Sequence, residues 1–186
     1  MTNLLGEFLG TMVLIIFGSG VVANVLLKKS KAEGSGWGTI ILGWAVGVVM
    51  GVFMAIAAGA PQADINPAVT LAKTMMGVYS APQAVATMVA QLAGGFVGGV
   101  IVWLAFLPHW EITEDKGAKL GVFCTAPAIR NYSTNVLCEI IGTMVLILSI
   151  FAIFAKPVGV IPPGFGPFLV GFLVWGIGAS LGGPTG

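Results

Sequence analysis

Five apolar runs, each near the length needed to cross a lipid bilayer, constrain this chain more than any other feature. They occupy roughly residues 4–27, 39–59, 84–107, 134–155 and 165–181. A hydrocarbon core takes about 20 helical residues to span, so these runs predict transmembrane helices. Composition closes off the alternative of a soluble helical core. Only 8% of the 186 residues are charged, against roughly 25% in soluble domains, and the mean hydropathy is +1.01. Too few polar side chains exist to cover a water-exposed surface.

Other classes are excluded on similar grounds. A net charge of +1 without basic clusters interleaved with stacking aromatics does not describe a nucleic-acid binder. Cys124 and Cys138 make neither a disulfide framework nor a metal site. The lone His109, beside Trp110 at the end of a run, reads as an interfacial residue rather than a ligand. Nucleophile–base pairs, phosphate-binding glycine loops and metal clusters are not apparent, so the expectation is a non-enzyme without cofactor or metal. The first run begins within a few residues of the N-terminus with no basic stretch before it. It is too long for a signal peptide and reads as a retained helix.

Between the second and third runs lies APQADINPAVTLAKTMM, residues 60–76, which no continuous span would tolerate. Asn66 is a favoured N-cap and Pro67 suits the first helical position, so a helix is expected to start there. At 1.5 Å per residue, the segment 66–76 reaches only about half-way through a bilayer. It lies on the surface or enters the membrane as a re-entrant half-helix. In the second case its positive N-terminal end and the Asn66 amide would face whatever passes, repelling cations and donating hydrogen bonds to neutral oxygen.

An internal repeat is visible. EFLGTMVLI at Glu7–Ile15 returns as EIIGTMVLI at Glu139–Ile147, an offset of 132. Three full crossings separate the copies, so the repeats are expected to be inverted in the membrane. Residues 1–133 would form the first repeat, with three spans, the half-helix and the following extramembrane loop. Residues 134–186 would form an incomplete second repeat with two spans. Inverted repeats commonly build a permeation path from discontinuous helices at their interface. Glu7 and Glu139 are intramembrane carboxyls, and Gln91 stands alone in the third run. The two carboxyls are candidates for proton coupling; the preferred reading, for Gln91 as well, is architectural, as buried polar groups that serve the backbone of a re-entrant loop. Glycines spaced by four, at Gly43, Gly47 and Gly51 and again at Gly94 and Gly98, predict close helix packing.

Asn66-Pro67-Ala68 within DINPAVTLAK resembles the first half-helix motif of the major intrinsic proteins, the aquaporins and aquaglyceroporins. EFLGT, Gln91, EIIGT and the closing GASLGGPTG agree with it along essentially the whole sequence. The resemblance implies an all-α membrane protein with an aquaporin-like inverted-repeat bundle: five full spans plus one re-entrant half-helix. It implies a cell-membrane channel for glycerol and similar small neutral solutes, with water, assembled as a homotetramer in the bilayer. It also places the N-terminus in the cytoplasm, whereas the bias of Lys and Arg between the runs favours the opposite orientation.

In the family, a second Asn-Pro-Ala follows the Thr-Gly pair. The sequence ends at Gly186 before such a motif, so the expectation is one half-helix here and no complete pore from these residues alone. Trp44 and Gly178 match filter positions of the glycerol-conducting branch. The interval from Trp44 to Asn66 is about two residues longer than the usual pattern. Asp64 departs from the family, which usually has His there. A carboxyl at that depth would polarise the path, or bind a lysine or loop amides as support, and support is preferred. Two competing functions stay open: a proton-coupled secondary transporter using Asp64, Glu7 or Glu139, and a non-conducting truncated membrane protein.

Overall fold

The computed structural model describes residues 4–186, which are helical with no strand among them. The helices are α1 (Leu4–Leu26), α2 (Trp37–Ala57), α3 (Pro67–Met75), α4 (Ala81–Ala105), α5 (Leu107–Ile112), α6 (Lys116–Gly121), α7 (Tyr132–Ile153) and α8 (Gly166–Ser180). Four of them, α1, α2, α4 and α7, have the length and hydropathy to cross a membrane. The fifth expected full span is shorter than that: α8 has 15 residues, about 22 Å of helix against a core of about 30 Å. Gly166 and Pro167 open it, and Gly182, Gly183 and Pro184 follow its end, so the apolar run overstates the helix.

The starts of α4 and α7 lie outside their apolar runs because their caps are polar. Asn131 caps α7 by accepting the Thr134 N–H at 3.3 Å. At α4 the Gln83 side chain accepts the Ser80 N–H at 3.0 Å, half of a capping box. These two helices therefore begin three and two residues before their runs.

Helix α1 is the centre of the fold, packed between α2 and α4. Glycine makes both contacts possible. A Cβ on Gly94 would lie 2.1 Å from the Phe8 carbonyl oxygen, and one on Gly98 would lie 2.6 Å from that of Met12. On the other side, Gly51 faces the Gly10 carbonyl, where a Cβ would sit 2.7 Å away. These distances admit no side chain, and helices with such small-residue faces bring backbone against backbone. Helix α8 packs on α2, with Gly171 against Val49 and Gly178 against Ile41.

The segment between α4 and α7 contains two short helices that the sequence reading treats as loop. His109 of α5 places Nδ1 2.8 Å from the Lys28 carbonyl, and Thr113 Oγ1 accepts the Lys28 N–H at 3.0 Å. Trp110 stacks on Phe123 with ring centroids 5.6 Å apart. The lone histidine thus ties α5 to the α1–α2 connection.

Candidate functional site at the re-entrant half-helix

The chain leaves α2 at Ala57 and reaches α3 through residues 58–66, which turn inward. Backbone entering an apolar interior brings N–H and C=O groups that water cannot satisfy. The side chain of Glu7 meets this need. It is fully buried and its two carboxylate oxygens accept the backbone N–H groups of Asp64 and Ile65, each at 2.9 Å. Gln91 of α4 donates Nε2 to Glu7 Oε2 and to Thr70 Oγ1, both at 2.9 Å. Glu7 and Gln91, 84 residues apart, therefore hold one loop between α1 and α4.

Two residues of this loop, Ala63 and Ile65, have φ of 42° and 43°. Left-handed backbone costs an L-residue roughly 1–2 kcal/mol, and a β-branched Ile rarely adopts it. Such strain persists only where the surroundings over-determine the conformation. Among the described residues, no intramolecular hydrogen bond reaches the carbonyl oxygens of Ala63, Asp64 or Ile65. All three residues border a cavity of about 450 Å³ whose other walls include Val48, Val52, Val69, Val170 and Val174. The residues whose carbonyls have no intramolecular donor thus share one cavity with aliphatic side chains.

Asn66 caps α3 through Oδ1, which accepts the Ala68 N–H at 2.8 Å. That commitment directs the amide: Oδ1 serves the helix, and the Nδ2 donors make no hydrogen bond among the described residues. Asn66 borders the first cavity and also a second, of about 710 Å³, which is lined by Ser19, Trp44, Gln91 and Trp103 among others. Leu14, Ile65 and Asn66 are common to both. The half-helix therefore begins where the two cavities meet, and α3, nine residues long, runs away from that point.

The other sequence candidates fall as follows. Pro67 opens α3 and lines the second cavity, and Ala68 supplies the N–H that Asn66 caps. Trp44 lies in the second cavity with its ring face on Gly18, where a Cβ would come within 2.2 Å. Gly178 borders neither cavity. It meets Ile41, where a Cβ would sit 2.8 Å from Cγ2, and its carbonyl accepts Trp37 Nε1 at 3.0 Å.

Glu139 is exposed, in contrast to the expectation of a buried polar residue. It flanks an open groove with Arg130, Asn135 and Met75. Among the described residues no loop donates backbone N–H groups to Glu139, as Asp64 and Ile65 do to Glu7.

The Asp64 side chain is fully buried and pairs with Lys73; the sequence reading named a lysine as one possible partner without saying which. Oδ2 also accepts the Thr70 and Tyr79 hydroxyls, each at 2.9 Å. Lys73 in turn donates to the Gln62 carbonyl and to Gln62 Oε1, both at 3.1 Å. Thr70 and Lys73 are three residues apart on α3, one helical face, and that spacing was the available signal.

The whole sequence, residues 1–186, matches the family model described as major intrinsic protein. The chain belongs to the major intrinsic protein family. This member is similar to the probable glycerol uptake facilitator protein of Thermotoga maritima, at 50% identity over 186 residues, covering 100% of this chain and 77% of that protein. It is 49% identical over 184 residues to glycerol uptake facilitator protein 3 of Lactiplantibacillus plantarum, covering 99% of this chain and 75% of the relative. Among solved structures it is similar to the aquaglyceroporin from Plasmodium falciparum, with a TM-score of 0.85 and 25% identity over 98% of this chain and 73% of that one. This major intrinsic protein is therefore an integral membrane protein with an aquaglyceroporin-like helical fold.

Proposed function

We propose that this major intrinsic protein is a passive channel for glycerol and similar small neutral solutes, with water, and that it works as a homotetramer in the cell membrane. The observation that carries the reading is Asn66 at the junction of two cavities, its Oδ1 held by α3 and its Nδ2 free to donate. Ala63, Asp64 and Ile65, whose carbonyls have no intramolecular donor, border the first of these cavities together with several valines. A polyol has hydroxyls along one edge and C–H groups along the other, so such a lining suits it. The named relatives are glycerol uptake facilitators, which supports the choice of substrate class. Proton coupling is less favoured, because the Glu7 carboxylate is taken up by backbone N–H groups and Asp64 by three side chains.

The test is Asn66→Asp in proteoliposomes. Asp caps helices as well as Asn does, so α3 is retained, while the amide donor is replaced by a carboxylate. Glycerol flux is expected to fall at least about tenfold, the equivalent of losing one hydrogen bond of about 1.4 kcal/mol. Unchanged flux in a folded variant would remove Asn66 from the pathway.

A further inference from the structure

We propose that the Asp64–Lys73 ion pair is a specificity-determining clamp, which holds the strained 63–65 backbone so that its carbonyls serve a polyol rather than water alone. The inference rests on the channel reading above and assigns a selectivity role to two residues outside the Asn66 motif.

Three observations converge. First, Asp64 lies between the two residues with left-handed φ, Ala63 and Ile65. A loop with two strained L-residues in three relaxes unless its surroundings hold it. Second, two linked sets of hydrogen bonds hold it. Glu7 grips the backbone N–H groups of Asp64 and Ile65, which fixes the amide edge. The Asp64 side chain binds Lys73, Thr70 and Tyr79, and Thr70 connects back to Glu7 through Gln91. Lys73 closes the ring by donating to Gln62, two residues before Asp64. The pair thus joins the loop before Asn66 to the last turn of α3 and to the segment following it. Third, Lys73 borders the same cavity as Ala63, Asp64 and Ile65, with its side chain 15% exposed, while the Asp64 side chain is fully buried. What faces the path is a neutralised, fully hydrogen-bonded pair rather than a bare charge.

Glycerol and water respond differently to a lost acceptor. A glycerol molecule in a narrow slot cannot turn, so its hydroxyls need acceptors at fixed intervals. Water reorients and uses whichever oxygen remains. Releasing Asp64 allows a peptide between residues 63 and 65 to flip, and one carbonyl then turns away from the cavity. The loss falls on glycerol first. Pairing Asp64 with Lys73 at close range also makes the two side chains energetically one unit, so their substitutions should not add.

The experiment is stopped-flow light scattering on proteoliposomes, measuring glycerol and water permeability for wild type, D64N, K73M, the D64N/K73M double variant and K73R. The glycerol-to-water ratio is expected to drop about tenfold in D64N and in K73M, and no further in the double variant. K73R, which keeps the charge and donors, should stay within about twofold of wild type. Tyr79→Phe removes one donor from Asp64 without touching the charges, so it provides a milder variant if D64N is poorly assembled. It should move the ratio in the same direction by a smaller factor. An unchanged ratio in folded, conducting D64N and K73M, with only their thermal stability lowered, overturns the clamp as a selectivity device. Additive effects in the double variant overturn the pairing. Absence of passive glycerol flux in wild type defeats the channel reading itself, and the clamp with it, which is a separate result.

Discussion

The carboxylate of Glu7 accepts the backbone N–H of Asp64 at 2.9 Å, across 57 residues of sequence. One buried acidic side chain thereby satisfies a loop that enters an apolar interior, with the neighbouring Ile65 N–H taken by its second oxygen. The inward loop, the start of α3 and the position of Asn66 all depend on this contact.

Glu7→Gln should be strongly destabilising. The amide keeps one oxygen but turns an NH₂ group toward a backbone N–H, leaving a buried donor facing a donor. The cost of one unsatisfied buried group is about 1–3 kcal/mol, and more when a charge-assisted bond is lost. Thermal denaturation in detergent should show a clearly lowered Tm. An unaltered Tm would mean that the loop holds itself.

Gly94→Ala should disrupt the α1–α4 contact, because the added carbon would sit 2.1 Å from the Phe8 carbonyl oxygen. Overpacking of this kind costs typically 1–3 kcal/mol, with the backbone here unable to move aside cheaply. Gly142→Ala on α7, where nothing lies within 4 Å of the new carbon, serves as the control and should be neutral or slightly favourable, since Ala is the better helix former. Monodispersity and Tm of the two variants, compared directly, check the contrast.

Trp44→Ala should broaden the range of solutes. The indole fills part of the second cavity and lies on Gly18, so its removal widens that end. Polyols longer than glycerol should enter faster by about tenfold, the scale of discrimination that one or two methylenes supply in an apolar pocket. Swelling assays with a series of linear polyols would read this out, and an unchanged size limit would place the constriction elsewhere.

The α1–α2 connection should respond to pH in a defined direction. The Lys28 side chain, and then the Lys29 backbone N–H, hold the Glu33 carboxyl below its ordinary 4.5. The Glu33 side chain raises the Lys28 ammonium in turn. A lowered carboxyl contributes fully above its unfolded value and loses that contribution as pH falls through the folded one. A raised ammonium contributes fully below its unfolded value of 10.5 and loses that contribution as pH rises through the folded one. The tie is therefore intact at neutral pH and released in acid. Amide exchange at Lys29 should accelerate on acidification beyond the intrinsic rate, and Glu33→Gln should abolish that dependence.

Much of this organisation was legible in the sequence, because long apolar runs and an N-cap followed by proline are local signals. Asn66 and Pro67 mark the start of α3 in the sequence, and the structure begins that helix at Pro67 with Asn66 as its cap. The starts of α4 and α7 were less legible, since their first turns are polar and lie outside the runs. Burial was the least legible. Glu7 and Glu139 sit in segments with seven identical residues in nine, yet one is buried and the other exposed. The difference is not written around either glutamate. It lies in whether a distant loop folds over it. Lys73 illustrates the same limit: its partner Asp64 lies nine residues earlier in a loop whose direction no local pattern specifies.

Glycerol flux into proteoliposomes, measured against the size of the gradient and with or without an imposed proton gradient, tests the central claim most directly. A passive channel gives flux that rises linearly with the glycerol gradient, does not saturate, and is indifferent to pH differences and to protonophore. Saturable uptake that runs uphill when protons flow inward would contradict it, and would return Asp64 and Glu7 to consideration as proton carriers.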